Sequence, residues 1–450
     1  MLKDAIEYYH SLLTDEVAEE ADRLMRLKLE EKSLYFGARP LCVVLRPHLY
    51  TEADWSFMKT GLERLLSAFA RAHELCLTNA DLRAQLHLDE YEEALIPYDR
   101  VGVPPWTSSR LDTFYIPEQR ALKCVEYNAE TPAGIGYDSV LCEVFDELEP
   151  VKRFQERYNV RTIRSLDTLC NALLAGYRAW GGNHEKPHIA ILDWREVPTL
   201  NEHEITRQYL EQQGYQSILA DPRLLEYRDG SLWHENFRID MIYKRVLYSE
   251  LIDSMGMDSP VLRAMRDGKV YITNSISAKM MAKKASLAFL SDERNASLFN
   301  QSQLEAIHKF VPWTRVIEER KTLYQGDEVD LIDFVNRHKD RFALKPNDDY
   351  GGSGVVLGWE ASSGAWEAAV NNSLIHPHVI QERVNITEVN FPMWINGQLD
   401  ISPRYVDADP YIFGGDAVGG VLTRLSPSAL LNVTAGGGSV VPTLIISDKT

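Results

Sequence analysis

Apolar residues recur at helical spacing near the start of the chain: Leu2, Ile6, Tyr9, Leu13, Val17, Leu24 and Leu27. This period predicts one or two amphipathic helices over residues 2–32. The apolar run Cys42 to Leu45 predicts a short strand. A second helical stripe follows at Trp55, Met58, Leu62, Leu65, Leu66 and Phe69. Thr51, Glu52 and Asp54 give it an acidic, cap-forming start. Residues 101–109 (VGVPPWTSS) show no period and read as loop. Residues 110–128 read as two strands around the turn IPEQR, and Asp138 to Leu148 as a helix.

After 181–187 (GGNHEKP), the best linker candidate, the pattern changes to strand 188–193, helix 202–213, a glycine turn at Gly214 and strand 217–220. A polar hairpin (EYRDGSLW) and strand 239–245 complete it. These elements predict a small open α/β sheet, a lobe of the kind that binds ligands at strand C-termini. Residues 277–290 read as one helix. Residues 341–384 read as a glycine hairpin, a Trp-containing turn and the strand HVIQERV (378–384). The C-terminal stretch alternates short strands with glycine turns (FGGD, VGG, AGGG). No repeat or low-complexity tract appears.

Composition narrows the class. The 450 residues suffice for two or three lobes, and 45 % hydrophobic with 25 % charged is ordinary for a globular protein. The net charge of −18 argues against nucleic acid as a partner, because phosphate backbones need a basic face. A small anion such as ATP needs only a local basic cleft. The five cysteines are scattered without a C-x-x-C pair. That pattern predicts buried free thiols in a reducing compartment, not a disulfide framework. The N-terminus mixes acids into its apolar positions and does not read as a signal peptide. No run of about 18 apolar residues predicts a membrane span. The expected location is the cytoplasm. Oligomeric state stays open, a homodimer included.

The richest candidate chemistry lies in ALKPNDDYGGSGVVLG, from Ala343 to Gly358. It reads as strand, glycine loop, strand. Glycines 351, 352 and 354 allow backbone N–H groups to converge on an anion. Lys345 can hold phosphate oxygens and a nearby acid their magnesium. A tight hairpin with surface charges accounts for the same residues. In KCVEYNAETPAGIGY (123–137), strand alternation puts Glu126 and Asn128 on one face. A carboxylate and an amide oxygen there suit Mg²⁺; a solvated strand face is the plainer account. Pro132, Gly134 and Gly136 nearby point to a close backbone approach.

Lys279 and Lys283 stand at i, i+4 and repel unless an anion or an acid lies between them. Gln381 and Glu382 end a strand whose backbone can pair with an adenine edge. Arg110 and Arg424 each sit where strand meets loop, and the planar guanidinium suits a carboxylate; a structural salt bridge is the alternative. No G-x-S-x-G, H-E-x-x-H or suitably placed G-x-G-x-x-G occurs. The twelve histidines show no ligand spacing, and NEHEITRQ (201–208) reads as a helix start.

Taken in order, these segments resemble the ATP-grasp superfamily, in its circularly permuted branch: eukaryotic-type glutathione synthetases, glutathionylspermidine synthases and related bacterial proteins. The order is S-R-x-D, E-x-N, a small lobe ending D-x-x-Y-K-R, a lysine helix, K-P with the glycine loop, a Q-E hinge, then L-x-R and a glycine-rich segment. VEYN lies far upstream of the glycine loop, as in the permuted branch. The resemblance covers most of residues 105–445.

It implies a permuted ATP-grasp fold of mixed α/β (α+β) class with an inserted small α/β lobe. Residues 1–185 would hold the N-terminal helices and the metal-binding strand. Residues 186–255 would form the substrate lobe. Residues 256–450 would hold the lysine helix, glycine hairpin, hinge and C-terminal strands. The cofactors implied are ATP and Mg²⁺. The metal ligands implied are Glu126, Asn128 and Asp349. Lys345, Lys284 or Lys283, Gly351, Gly352, Gly354, Gln381 and Glu382 would bind the nucleotide. Arg110 and Arg424 would stand near the acceptor and the transferring phosphoryl group.

The implied activity is ATP-dependent ligation of a small-molecule or peptide carboxylate to an amine through an acyl phosphate. A small-molecule kinase and an ATP-binding regulatory protein on a decayed scaffold are the alternatives. Two departures argue against a glutathione-related substrate. The C-terminal AGGGSVVP is shorter than the glutathione synthetases' glycine-rich lid, and no amidase domain accompanies it.

Overall fold

The computed structural model describes residues 1–100, 102–349, 352–428 and 438–449. Its framework is a seven-stranded antiparallel sheet built from distant parts of the chain. In spatial order the strands are Thr387–Ile395, Gln398–Val406, Ala417–Ser426, Asp409–Phe413, Ser108–Ile116 and Ala121–Asn128, with Ser439–Val441 added against Ala417–Ser426. Tyr411 opposes Arg110 where the C-terminal strands meet the earlier hairpin. This junction is what brings Arg110 and Arg424 into one sheet.

A second sheet is parallel, in the order Tyr271–Thr273, Met241–Lys244, Ile189–Leu192, Ser217–Ala220. Its central strands are buried along their whole length and read as unbroken apolar runs, because helices and loops cover both faces. Asn274 ties this sheet to the first. Its Nδ2 donates to the carbonyls of Ser108 (2.6 Å) and Ala129 (2.7 Å), and its Oδ1 accepts from the Thr107 N–H at 2.7 Å. A third, four-stranded sheet carries the glycine hairpin, in the order Thr314–Val316, His378–Glu382, Phe342–Pro346, Val356–Leu357.

The predicted N-terminal helices are Leu2–Ser11 and Asp15–Glu31. The next stripe becomes the 27-residue helix Glu52–Thr78. Thr51 and Asp54 close a reciprocal capping box at its start, which satisfies two otherwise orphaned N–H groups. Its buried face, Trp55 to Cys76, packs against Phe310, Trp106 and Tyr127. Burying side chains of this size stabilises by roughly 1.5–3 kcal/mol each. All five cysteines are buried free thiols. Among the described residues no helix is long and apolar enough to cross a membrane.

Four expectations are corrected. Cys42 to Leu45 is buried but is not a strand; the strand is His48–Thr51. No ladder partner is available, because the Val43 N–H bonds the Ser439 hydroxyl and the Leu45 N–H the Pro392 carbonyl. The expected single helix 277–290 is split into a 3₁₀ turn, Ile276–Ala278, and the helices Lys279–Ala282 and Ala285–Ser291. Lys283 breaks it with ψ 133°. The Trp-containing turn includes a helix, Ser363–Ser373, capped by the Ser362 hydroxyl, with Trp366 and Val370 on its buried face. The VGG expected as a turn lies inside strand Ala417–Ser426. A Cβ at Gly419 would meet the Phe413 ring at 2.7 Å and one at Gly420 the Ser165 hydroxyl, so these glycines serve packing.

Gly358, which closes the glycine hairpin, has the same reason. A Cβ there would collide with the Lys339 carbonyl and lie 2.9 Å from the Phe342 carbonyl oxygen. Backbone cannot swing aside as a side chain can. Gly358→Ala is expected to cost about 3 kcal/mol of stability, read from the denaturant midpoint.

Candidate functional site

Antiparallel pairing of Ser108–Ile116 with Ala121–Asn128 sets Arg110 opposite Asn128 and Asp112 opposite Glu126. Directly opposed residues share a face, so all four point the same way. Tyr127 points away and packs on Phe69 and Trp106. A register shift between Asp112 and Thr113 bends the pair here, as bulges beside functional sites commonly do. The following loop approaches closely, as its glycines suggest. Gly134 has φ +106°, and a Cβ there would lie 2.5 Å from the Tyr411 hydroxyl.

The shared face forms one wall of a cavity of about 460 Å³. The third sheet forms the opposite wall. Arg110, Glu126, Asn128, Lys284, Lys345, Asp349, Gly352, Gln381, Glu382 and Arg424 all line it, with Phe114, Val125, Ala343, Leu357 and Ile386 as apolar surface. Gly354 belongs to the same loop at φ +68°. Gly351 lies outside the described residues, as do residues 435–437 of the C-terminal glycine segment.

The break at Lys283 sends the two adjacent lysines in different directions. Asn347, at the start of the glycine loop, holds the break open: its carbonyl accepts from the Lys284 N–H (2.9 Å) and its Oδ1 from the Ala285 N–H (2.9 Å). Lys284 then enters the cavity, 3.0 Å from Glu126, and donates to the Asp349 carbonyl. Lys283 does not line the cavity. It pairs instead with Asp348 (2.7 Å), Glu92 (2.9 Å) and Asp89 (3.0 Å). The acids between Lys279 and Lys283 are thus Asp348 and Glu92.

The side chains of the hinge strand are already engaged. Gln381 accepts from Lys345 at 2.7 Å and donates to Thr314 at 3.2 Å. Glu382 accepts from the Tyr324 hydroxyl at 2.5 Å. Burial pulls Lys345 down to about 8, with Lys284 adding to the effect and Glu126 opposing it.

Three aspartates that the sequence motifs left out, or left unassigned, dominate the cavity floor. Asp112 receives a bidentate pair from Arg110 (2.8 and 3.1 Å), Nη2 of Arg424 (2.8 Å) and Nδ2 of Asn128 (2.8 Å). Arg424 also pairs with Asp407 at 2.6 Å and Asp409 at 2.7 Å. Burial pushes Asp112 up, but Arg110 and Arg424 outweigh it and hold its carboxyl well below the usual range. Burial pushes Asp409 well above its ordinary value; Asp112 and Asp407 add to this against the pull of Arg424. Sequence shows Asp112 only as the D of S-R-x-D, while Asp407 and Asp409 carry no signal until strand Asp409–Phe413 pairs with Ser108–Ile116.

A family model described as circularly permuted ATP-grasp type 2 matches residues 117–426. The chain belongs to that family. The ATP-grasp chain is 25 % identical over 463 aligned residues to a Frankia alni protein named "Putative glutamate--cysteine ligase 2-3", covering 94 % of this chain and 48 % of that one. It is 28 % identical over 235 residues to the Frankia casuarinae "Putative glutamate--cysteine ligase 2-2", covering 49 % of this chain and 25 % of the other. The chain thus spans a quarter to a half of the length of these relatives. A glutathione synthetase-like effector from Globodera pallida, solved in its apo form, shares the fold. The TM-score is 0.60 at 11 % identity, covering 96 % of this chain and 98 % of the other.

The cavity offers donors that fit a hard divalent cation. Asn128 spends its amide nitrogen on Asp112, which leaves its oxygen for the cavity beside the Glu126 carboxylate. Oxygen donors of this kind suit Mg²⁺. Asp349 lines the same cavity from the glycine loop, whereas both oxygens of Asp112 are already taken by Arg110, Arg424 and Asn128.

Beyond Arg110 the ATP-grasp chain holds a second polar group, at the C-terminal ends of the central parallel strands. The buried Arg245 has only long contacts, to the Tyr243 hydroxyl (3.4 Å) and the Thr131 carbonyl (3.5 Å). Glu202 accepts from the N–H groups of Gly134 (2.8 Å) and Gly136 (3.3 Å), while its other oxygen is buried without a partner. Arg245 and Glu202 are close enough to offset each other's charge, and neither lines the cavity.

Proposed function

We propose that this chain is an ATP- and Mg²⁺-dependent ligase that joins a carboxylate to an amine through an acyl phosphate. One observation carries the reading: the glycine hairpin, Lys345, Lys284 and the Glu126–Asn128 strand line a single cavity whose floor holds Arg110 and Arg424. A carboxylate is a poor electrophile. Its oxygen attacks the γ-phosphorus, ADP leaves, and the amine nitrogen then displaces phosphate, its proton passing to the departing phosphate or to solvent.

Glu126, Asn128 and Asp349 would hold Mg²⁺, which would supply positive charge to offset that of the phosphates. Lys345 and Lys284 would meet the remaining phosphate charge. Lys284 would exchange its pairing with Glu126 for one with phosphate. The glycine loop, through Gly351, Gly352 and Gly354, would cover the phosphates and keep water from the acyl phosphate. Arg424 would steady the transferring phosphoryl group and Arg110 the acceptor carboxylate. Glutamate and cysteine, named for the relatives, belong in the first panel.

The test is ADP release in the presence of ATP, Mg²⁺ and paired carboxylates and amines. A ligase releases ADP only with a carboxylate present and forms a product of the summed mass less water. A kinase forms a stable phosphorylated product without the amine. A binding protein shows an ATP-dependent rise in melting temperature without turnover. Asp349→Ala is expected to lower ligase turnover by about a hundredfold or more if Asp349 holds the metal. No response to ATP in either assay removes the proposal.

Lys345 gives the pH dependence. Its ammonium form meets phosphate, and in the free protein it is lost as pH rises through about 8. Above that pH, ATP binding must take up a proton, so affinity is expected to fall by up to about tenfold per pH unit. Calorimetry across this range, with Lys345→Met as the flat control, checks it.

A further inference from the structure

Behind the glycine loop, outside the cavity, lies a buried ionic cluster that the ligase reading leaves unused. Lys279 and Lys283 are 2 % and 1 % exposed. Burying two ammonium groups is costly unless they are paired, and here both converge on one carboxylate of the loop. Lys279 lies 2.8 Å from each oxygen of Asp348, and Lys283 lies 2.7 Å from Oδ2. Asp348 is correspondingly held at about 2: burial raises it, but the two lysines outweigh burial. Carboxylate oxygens of Asp89, Glu92 and Asp348 gather within 4.8 Å of one another. That grouping would suggest a cation, but the two ammonium groups already fill the role.

Lys279 has a second partner, Glu130, at 3.2 Å. Glu130 follows Asn128 by two residues, in the loop leaving the Glu126 strand. One ammonium therefore ties the glycine loop to the strand wall facing it. Asp349, next to Asp348, lines the cavity, and its carbonyl accepts from Lys284.

We infer that Lys279 and Lys283 are positioning residues: through Asp348 they seat the glycine loop against the Glu126–Asn128 wall and so fix where Asp349 enters the site. The inference rests on the reading of the cavity as a nucleotide site for its consequence, but not for its geometry. The two can be tested apart.

The variant is Asp348→Asn, which keeps the shape, removes the charge and alters a partly exposed loop residue. Amide exchange is measured on the full chain without nucleotide, and ATP–Mg²⁺ binding by calorimetry. Exchange over residues 347–349 and 352–358 is expected to rise about tenfold, with 121–128 unchanged, and ATP affinity to fall about tenfold. Asp348→Glu is expected to restore part of both. Unchanged exchange in Asp348→Asn overturns the seating. Faster exchange with ATP affinity equal to that of the original protein overturns the positioning role. If the original protein binds no ATP, the nucleotide reading fails, and exchange alone still decides the seating.

Discussion

Asp112→Asn is expected to reduce ATP turnover by about a thousandfold while leaving the protein folded. The loss follows from position. Among the described residues Asp112 is the one carboxylate that touches Arg110, Arg424 and Asn128 together. Without its charge both guanidiniums lose their aim, and Asn128 is free to turn its amide nitrogen toward the cavity. The fold should survive because the floor can rebalance. Burial and the neighbouring charges of Asp112 and Asp407 push Asp409 well above its ordinary value, against Arg424. Removing the charge of Asp112 relieves part of what raises Asp409, which already stands 2.7 Å from Arg424 and, with Asp407, still offsets the guanidinium charge. Turnover and denaturant unfolding, measured on one preparation, check both halves. Full activity would exclude Asp112 from the chemistry. Loss of the fold would mean that Asp409 does not compensate.

Lys279→Met is expected to destabilise the protein by about 3 kcal/mol. It strips one partner from Glu130, Glu92 and Asp348, which stand 3.2, 3.5 and 2.8 Å from its ammonium. Lys244 and Lys283 remain nearby, which keeps the cost toward the low end of the range for a broken buried pair. The deficit should shrink in acid. The two lysines hold Asp348 at about 2, below the ordinary aspartate value of 3.8. Its pairing therefore stabilises the fold above 3.8 and is lost as pH falls through 2. In the variant the depression is smaller, so original and variant converge as the carboxylates protonate. Urea unfolding at neutral pH and at about pH 3, inside that window, measures the narrowing.

Much of the site could be read along the chain because its parts are local. The glycine hairpin, the face shared by Glu126 and Asn128, and the capping box at Thr51 each depend on residues within a few positions of one another. Strand alternation and turn chemistry act at that range. The order of those pieces also pointed to a permuted ATP-grasp chain, and the family match over residues 117–426 agrees.

Three matters were decided only by packing. Which of two adjacent lysines enters the cavity depends on Asn347, more than sixty positions away, breaking the helix at Lys283. Helical period alone ran straight through that point. The Asp112, Asp407 and Asp409 floor exists because C-terminal strands pair with an early hairpin, a long-range register that no local pattern encodes. The hinge side chains are spent on Lys345 and Tyr324 before any ligand arrives. Local sequence thus set the donors and the loop that could hold a nucleotide. Tertiary structure decided which charges are neutralised and which still face the cavity, because burial makes each charge seek a partner wherever in the chain it lies.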